Sequence, residues 1–263
     1  MWPTIKGVPV FLYHEIVDRR GSFSDSRKTK YTVTSAQFQN QLAQIKSSGC
    51  RVHPISEIAQ STDYIAENLS VGITFDDGYT SDYEKAFPLL LAVGFRADFF
   101  LNTARIGKPG YLNWEQIREM QKAGMAFHSH GHSHAVLSIL GPTALACELE
   151  TSRKILEDKL GCSVHFLAAP YGLVNGNVIR EAFRVGYRGV CNSRQWTTRA
   201  GSRCINRVAV LRQTCEKEFR LLVQRNAAPY VIRSLRSAAL YFPKQLLLRI
   251  QPAQLGVQVL EER

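Results

Sequence analysis

The stretch ITFDDGY, residues 73–79, determines how we interpret the rest of the chain. Its apolar start is typical of a buried strand, which ends in two adjacent carboxylates, Asp76 and Asp77, and then a glycine that permits a sharp turn. The carboxyl ends of strands are where α/β barrels place their catalytic groups. An Asx turn at a helix start explains one aspartate, but two adjacent ones favour a functional site.

Strand candidates alternate with amphipathic helical stretches on both sides of this segment. Helices are predicted over 34–49, 114–124 and 143–161, each ending at a glycine suited to a C-cap. In the third helix, one stripe is interpreted as core: Leu145, Leu149, Ser152, Leu156 and Leu160. The strand candidates are 8–14, 71–75, 96–102, 125–130, 164–170, 187–192 and 205–211. This alternation predicts an α/β fold with largely parallel strands.

The composition is that of an ordinary globular protein. The chain has 263 residues, of which 45% are hydrophobic and 21% charged. Its six cysteines are scattered without a C-x-x-C pair, which argues against a zinc ribbon and a disulfide scaffold. No apolar run approaches the ~18–20 residues that span a bilayer, and the start lacks a signal-peptide pattern. We therefore expect a cytoplasmic protein, unless a leader was removed before residue 1.

Positive charge is concentrated in the last third of the chain. Residues 1–183 carry 18 basic and 18 acidic side chains, whereas residues 184–263 carry 15 and 4. Stretches after about residue 212 have the pattern of basic amphipathic helices, which are typical of an interfacial element or of a helix packed on the domain. We expect this extension to contact an anionic membrane surface, with the protein peripheral to the inner face. Nucleic acid is not expected, because no binding motif accompanies the charge.

Residues 127–137, FHSHGHSHAVL, contain four of the seven histidines. Two histidines spaced i, i+4 on a helical turn can bind one ion, and both His128/His132 and His130/His134 have that spacing. A carboxylate from elsewhere would complete a set of three ligands and leave an open position for water, as in catalytic metal sites. Spacing alone leaves both pairs open.

Three motifs together, TFDDGY, SHGHSHAVL and APYG, resemble the polysaccharide deacetylases of the NodB-homology type, carbohydrate esterase family four. The resemblance covers roughly residues 5–212. It implies a catalytic domain over 1–212 with a distorted (β/α) barrel fold, followed by a basic helical extension over 213–263. It also implies a metal-dependent hydrolase that removes N-acetyl groups from N-acetylhexosamine units of a polysaccharide or a lipid-linked glycan.

The resemblance also indicates which of the two histidine pairs would bind the metal. It implies that Asp77, His130 and His134 bind a divalent metal, for which zinc is expected and cobalt or nickel are alternatives. Asp76 would be the general base, and the backbone N–H of Tyr171 would stabilise the oxyanion. The other two histidines of the run, His128 and His132, would then either lie behind the metal ligands without contacting the metal or face solvent.

The chain departs from the family pattern at two points. Ala168 stands where the family often has an arginine that braces the base, and no histidine follows His165 to serve as the late catalytic acid. However, VFLYHEIVD (10–18) resembles a subgroup, similar to poly-N-acetylglucosamine deacetylases, in which this motif is permuted to the N-terminus. His14 would then be the general acid, and Arg207 is a candidate to brace the site.

Candidate substrate-binding residues surround these groups. Tyr79 and Trp196 suit sugar stacking as well as packing. The full set of candidates is Tyr79, Pro170, Gly172, Trp196 and Arg207. Two alternatives to the deacetylase hypothesis keep the fold: a glycan-binding pseudoenzyme that retains metal, suggested by the two departures, and a small-molecule amidase.

Overall fold

Parallel strands form the centre of the fold. The structure, a computed structural model, describes residues 2–18, 30–61 and 68–250, and the side chains of the last helix as far as residue 238. The strands are β1 (Val10–Tyr13), β2 (Ile16–Val17), β3 (Val33–Thr34), β4 (Arg51–Val52), β5 (Ser70–Asp77), β6 (Asp98–Leu101), β7 (Ala126–Ser129), β8 (Phe166–Ala168), β9 (Gly189–Cys191), β10 (Cys204–Ile205) and β11 (Val208–Ala209).

The main sheet is curled, and a two-residue segment joins its two edge strands. Its order is β10-β9-β8-β7-β6-β5-β1-β11, with β4 beside the start of β5, and every pairing is parallel. Only Asn206 and Arg207 separate β10 from β11, yet these two strands pair with opposite edges of the sheet. The segment therefore joins the two edges of a curled sheet, which confirms the predicted distorted (β/α) barrel fold. The single strand predicted over 205–211 is wrong, because this crossing divides it into two short strands.

Helices cover the outside of the barrel. The three helices predicted around the motifs are confirmed, with bounds that differ by one or two residues. Thr34 and Asn113 begin two of them with capping boxes, and Gly161 ends the third in a left-handed conformation. The helices are α1 (Ser35–Ser47), α2 (Ile55–Gln60), α3 (Phe87–Val93), α4 (Trp114–Lys122), α5 (Pro142–Leu160), α6 (Gly176–Val185), α7 (Glu216–Val223) and α8 (Ala227–Ile250).

A row of aromatic side chains fixes the register of the four central strands. Tyr13, Phe75, Phe99 and Phe127 are paired across β1, β5, β6 and β7, and their neighbouring ring centroids lie 5.3, 4.9 and 5.6 Å apart. All four rings are buried under the helices. Because side chains alternate along a strand, the next residue of each strand faces the opposite side, towards the barrel interior.

The first part of the predicted C-terminal extension packs on the barrel. The Phe219 ring of α7 lies 4.7 Å from that of Phe11. In α8, Arg233 is buried and donates to the Ala209 carbonyl at 2.6 Å and to the Glu218 carboxylate at 2.7 Å. Residues 251–263 lie outside the described part of the chain. None of the helices described here is long and apolar enough to cross a membrane.

Candidate metal and catalytic site

The site lies at the carboxyl end of β5, where the backbone turns sharply. Asp77, the last residue of the strand, has φ 77°, and Gly78 follows with φ 70°. A Cβ on Gly78 would lie 2.8 Å from the Leu101 side chain, so glycine is required there on two counts. The turn rotates the Asp77 carboxylate towards the loop after β7.

The three residues that the resemblance assigns to a metal converge at this turn. Asp77 Oδ1 lies 3.1 Å from His134 Nε2 and 3.7 Å from His130 Nε2, and the three ligand atoms lie within 4.8 Å of one another. Asp77 Oδ1 is buried and accepts no hydrogen bond from the residues that the structure describes. Burial alone would raise the pKa of Asp77, but the imidazoles of His134 and His130 hold it below its usual range. One carboxylate and two imidazoles around an unsatisfied oxygen fit a divalent transition metal such as zinc.

His130 is held with the correct nitrogen towards this centre. Its Nδ1 lies 2.9 Å from the Ala168 carbonyl oxygen, so Nδ1 carries the proton and Nε2 remains an acceptor. Burial lowers the pKa of His130 to about 4, so its imidazole is neutral near pH 7. Neutral imidazole is the form that coordinates metals.

The histidines do not lie on a helical turn, so that part of the spacing argument is wrong. His130 directly follows β7, and residues 130–134 form an irregular loop. Gly131 has φ 77° and His134 has φ 68°, and these left-handed residues bend the chain back so that both rings face Asp77. The ring centroids of His130 and His134 lie 5.0 Å apart.

The other two histidines of the run are engaged elsewhere. His128 points into the barrel, where its Nε2 lies 3.0 Å from Asp98 Oδ1. His132 Nδ1 lies 2.9 Å from the Thr103 hydroxyl. Of the two pairs that spacing left open, the structure brings only His130 and His134 together at Asp77.

Asp76 is bound by Arg207 in a buried bidentate pair. The guanidinium nitrogens lie 2.6 and 2.8 Å from the two carboxylate oxygens, with Arg207 fully buried and Asp76 only 3% exposed. Burial raises the pKa of Asp76, but the Arg207 charge outweighs it and keeps this carboxyl ionised. Arg207 thus makes a contact with Asp76 that Ala168 has no side chain to make. Because Arg207 has no exposed surface, the substrate contact expected for it is not available.

His14 lies beside these carboxylates. Tyr13 of β1 pairs with Phe75 of β5, so the next residues, His14 and Asp76, are neighbours at the end of the barrel. Burial lowers the pKa of His14, and the charges of Asp77 and Asp76 partly oppose this shift. The ring also lies 4.9 Å from that of Tyr31, and its Nδ1 is buried without a hydrogen-bond partner among the described residues.

The candidate substrate residues divide into two groups. Tyr171 has φ 61°, and its ring lies 4.9 Å from that of His134, which places the Pro170–Gly172 turn against the site. Tyr79 stacks on Tyr111 at 5.3 Å beside the turn after β5. Trp196, in contrast, packs edge-on against Tyr230 at 5.9 Å, on the side of the barrel covered by α8.

Sequence reasoning missed two charged residues at the site. Arg105 Nη1 lies 3.9 Å from Asp77 Oδ1, and its guanidinium lies over the Tyr111 ring at 5.3 Å; no pattern in the sequence indicates it. Glu148 accepts hydrogen bonds from the backbone of His132 and Ser133. A signal for Glu148 exists, because it stands at helical spacing within the buried stripe of α5.

A curled parallel sheet of the distorted (β/α) barrel type, with a group of possible metal ligands at its carboxyl end, defines the class of fold and site. The family model for polysaccharide deacetylase matches residues 63–190, which include both aspartates, both facing histidines and the third motif. Over these residues the chain is similar to the polysaccharide deacetylase family.

Individual curated proteins are similar to the same part of the chain. The poly-beta-1,6-N-acetyl-D-glucosamine N-deacetylase of Staphylococcus aureus is 28% identical over 179 residues, covering 61% of this chain and 62% of that protein. The chain spans 62% of the length of the first curated relatives that it matches.

Two solved structures share the fold. The Streptococcus pyogenes deacetylase PplD, in complex with acetate, superposes with a TM-score of 0.74 at 24% identity, over 85% of this chain and 99% of that one. IcaB from Ammonifex degensii gives a TM-score of 0.72 at 24% identity, over 84% and 98%.

Proposed function

We propose that this protein is a metal-dependent hydrolase that removes N-acetyl groups from N-acetylhexosamine units of a polysaccharide or a lipid-linked glycan. One observation carries the proposal. Three metal-type ligands, Asp77, His130 and His134, lie directly beside a second carboxylate, Asp76, that is ionised and held by Arg207. Amide hydrolysis needs a group that binds the carbonyl, a base for the attacking water and an acid for the leaving amine.

The first half of the reaction uses the two adjacent carboxylates differently. A divalent cation, for which zinc is the first choice and cobalt or nickel the alternatives, would lower the pKa of a coordinated water and polarise the acetyl oxygen. Asp77, His130 and His134 would hold that cation. Asp76 takes the proton of the attacking water, and the bidentate contact with Arg207 fixes the orientation of its carboxylate.

The second half requires a proton for the leaving amine and donors for the oxyanion. His14, next to Asp76 across the strand pair, supplies the proton. The charges of Asp76 and Asp77 favour the protonated form of His14 and so partly offset the lowering of its pKa by burial. The backbone N–H of Tyr171, on the turn against His134, stabilises the developing negative charge.

The curated relatives suggest the substrate class. The Staphylococcus aureus protein is named for poly-beta-1,6-N-acetyl-D-glucosamine, and IcaB shares this fold. We therefore propose a polymer of N-acetylglucosamine, or a lipid-linked precursor of one, as the first substrate to test. The stacked Tyr79 and Tyr111 rings beside the site are suited to contact with a sugar face.

Acetate release is the direct test. Zinc-loaded protein is incubated with β-1,6-linked and β-1,4-linked N-acetylglucosamine oligomers and with N-acetylglucosamine itself, and free acetate is measured. We expect release from an oligomer and a loss of roughly 10²–10⁴-fold in Asp76→Asn, with zinc retained. Activity on the monosaccharide alone would favour the small-molecule amidase, and a fully active Asp76→Asn would refute the assignment.

His14→Ala separates an enzyme from a pseudoenzyme. If His14 is the proton donor, this variant releases acetate much more slowly while its affinity for the oligomer is nearly unchanged. Oligomer binding with no acetate release by the unmodified protein would instead favour the metal-retaining pseudoenzyme.

We further propose that the basic extension binds an anionic membrane surface, which would place the protein at the inner face of a membrane. The support is the charge excess of residues 184–263 and the exposed Ile232 and Leu235 on α8. Because Arg233 packs on the barrel, removing this helix would disturb the fold, so the suitable variant is Ile232→Glu combined with Leu235→Glu. This variant should lose binding to anionic vesicles, and salt should weaken binding by the unmodified protein. Indifference to both would remove this proposal.

A further inference from the structure

Glu148 is a buried carboxylate that points at the loop between the two metal-type histidines. It lies on the inner face of α5 and is 1% exposed. Its Oε2 accepts from the His132 N–H at 2.9 Å, and the Ser133 N–H lies 3.1 and 3.0 Å from its two oxygens. Within the described part of the chain, Glu148 forms no ion pair with a basic side chain. Its polar partners are therefore backbone N–H groups of one loop.

The same helix supports the remaining N–H of this loop. Ser152, one turn after Glu148, lies 2.8 Å from the Ser129 hydroxyl, and that hydroxyl accepts from the Gly131 N–H at 3.1 Å. All three N–H groups between His130 and His134 are thus tied to α5, directly or through Ser129. The side chains that hold them, Glu148, Ser129 and Ser152, are not among the three candidate metal ligands.

The loop is also held from the opposite side and fits closely. The carbonyls of Gly131 and His132 accept from the N–H groups of Thr103 and Ala104 at 3.3 and 3.0 Å. A Cβ on Gly131 would lie 3.3 Å from Glu148 Oε2, so the backbone passes close to this carboxylate. A displacement of Glu148 would therefore move the backbone that joins the two histidines.

We propose that Glu148 is a positioning residue for the metal site, setting the separation and direction of His130 and His134 through the N–H groups of His132 and Ser133. The inference rests on the proposed function, because it assumes that these histidines hold a metal. A carboxylate suits this task because it presents two acceptor oxygens to two successive N–H groups. A glutamine would present one oxygen and one NH₂ group, and the NH₂ group would oppose a backbone N–H.

The test compares Glu148→Gln with Glu150→Gln, a matched change on the same helix at an exposed residue that pairs with Arg184. Zinc affinity of the metal-free proteins is measured by competition with a chromophoric chelator, and thermal unfolding of the same samples is recorded. We expect Glu148→Gln to bind zinc roughly 10–100-fold more weakly than the unmodified protein. Glu150→Gln should bind it with unchanged affinity. The visible spectrum of the Co²⁺-loaded protein should change only in Glu148→Gln.

The outcomes separate positioning from a general structural role. A Glu148→Gln protein that unfolds at lower temperature but keeps its zinc affinity and Co²⁺ spectrum would overturn the inference. If Glu148→Gln does not fold, Glu148→Asp is measured instead. It keeps both oxygens on a shorter side chain, and unchanged zinc affinity would be equally decisive against the proposal. An unmodified protein that binds no zinc would instead refute the proposed metal site itself.

Discussion

The barrel contains two buried groups of aspartate and histidine, which differ in how many histidines face the aspartate. In the interior, Asp98 uses one oxygen for His128 and the other for the Ile55 N–H, each at 3.0 Å. At the carboxyl end, Asp77 faces His130 and His134 at once, and within the described part of the chain its Oδ1 accepts no hydrogen bond. Both carboxylate oxygens of Asp98 are satisfied by these partners, whereas Asp77 has an unsatisfied oxygen that a cation would complete.

The comparison shows that a buried histidine beside an aspartate does not by itself indicate a metal site. His128 and His130 are two residues apart on one strand and its extension, and both are buried. They differ because the left-handed backbone at Gly131 and His134 turns the chain back. This turn brings the His134 imidazole to Asp77 beside His130, and not to Asp98 beside His128. The predictions below test this difference, beginning with the largest expected effect on the free energy of unfolding.

The largest effect is expected from Arg207→Met, which would leave the Asp76 carboxylate buried without its partner. Removing one member of a buried ion pair costs about 3–5 kcal/mol, and we expect a loss of that size in urea unfolding. Arg184→Met, which removes a largely exposed ion pair with Glu150, should have little effect. Equal stability of the two variants would contradict the bracing role of Arg207.

Acid should destabilise the metal-free protein through His130. Burial lowers its pKa from 6.5 to about 4, so the unfolded chain binds this proton first. Stability is therefore complete above pH 6.5 and falls as the pH decreases towards 4, by up to about 3 kcal/mol. Urea unfolding at several pH values measures this, and His130→Gln should show a smaller loss over the same range. An identical pH dependence in both proteins would exclude His130 as the source.

A smaller effect is expected from the interior pair. His128→Ala would leave Asp98 Oδ1 buried without its partner, at a cost of about 1–3 kcal/mol in the free energy of unfolding. Asp98→Asn offers a control, because an amide oxygen can still accept from the Ile55 N–H. We expect Asp98→Asn to lose less stability than His128→Ala; the reverse order would show that the contact with His128 is not what stabilises this region.

The fold and much of the site could be predicted from local patterns. Apolar runs, caps and terminal glycines indicate the strands and helices, and the motif resemblance selects His130 and His134 over the other pair. The path of the loop between them could not be predicted, because two left-handed residues and backbone contacts to Thr103 and Ala104 determine it. Those contacts join segments that are distant in sequence.

Two supporting residues show the same limit. Arg207 reaches Asp76 only because the chain crosses from one sheet edge to the other around it, which no local pattern indicates. The stripe containing Ser152 is interpreted as core from its spacing, and the structure adds a polar role for that face of α5 through Ser152 and Glu148. A carboxylate within an apolar stripe was the available signal.

The central claim is that His130, and not His128, belongs to a metal site. The direct measurement is the zinc content of the unmodified protein, His130→Ala and His128→Ala after saturation and dialysis. We predict about one ion per chain in the unmodified protein and in His128→Ala, and none in His130→Ala, because only His130 shares a centre with Asp77 and His134. Retention of zinc by His130→Ala, or its loss from a folded His128→Ala, would contradict the account.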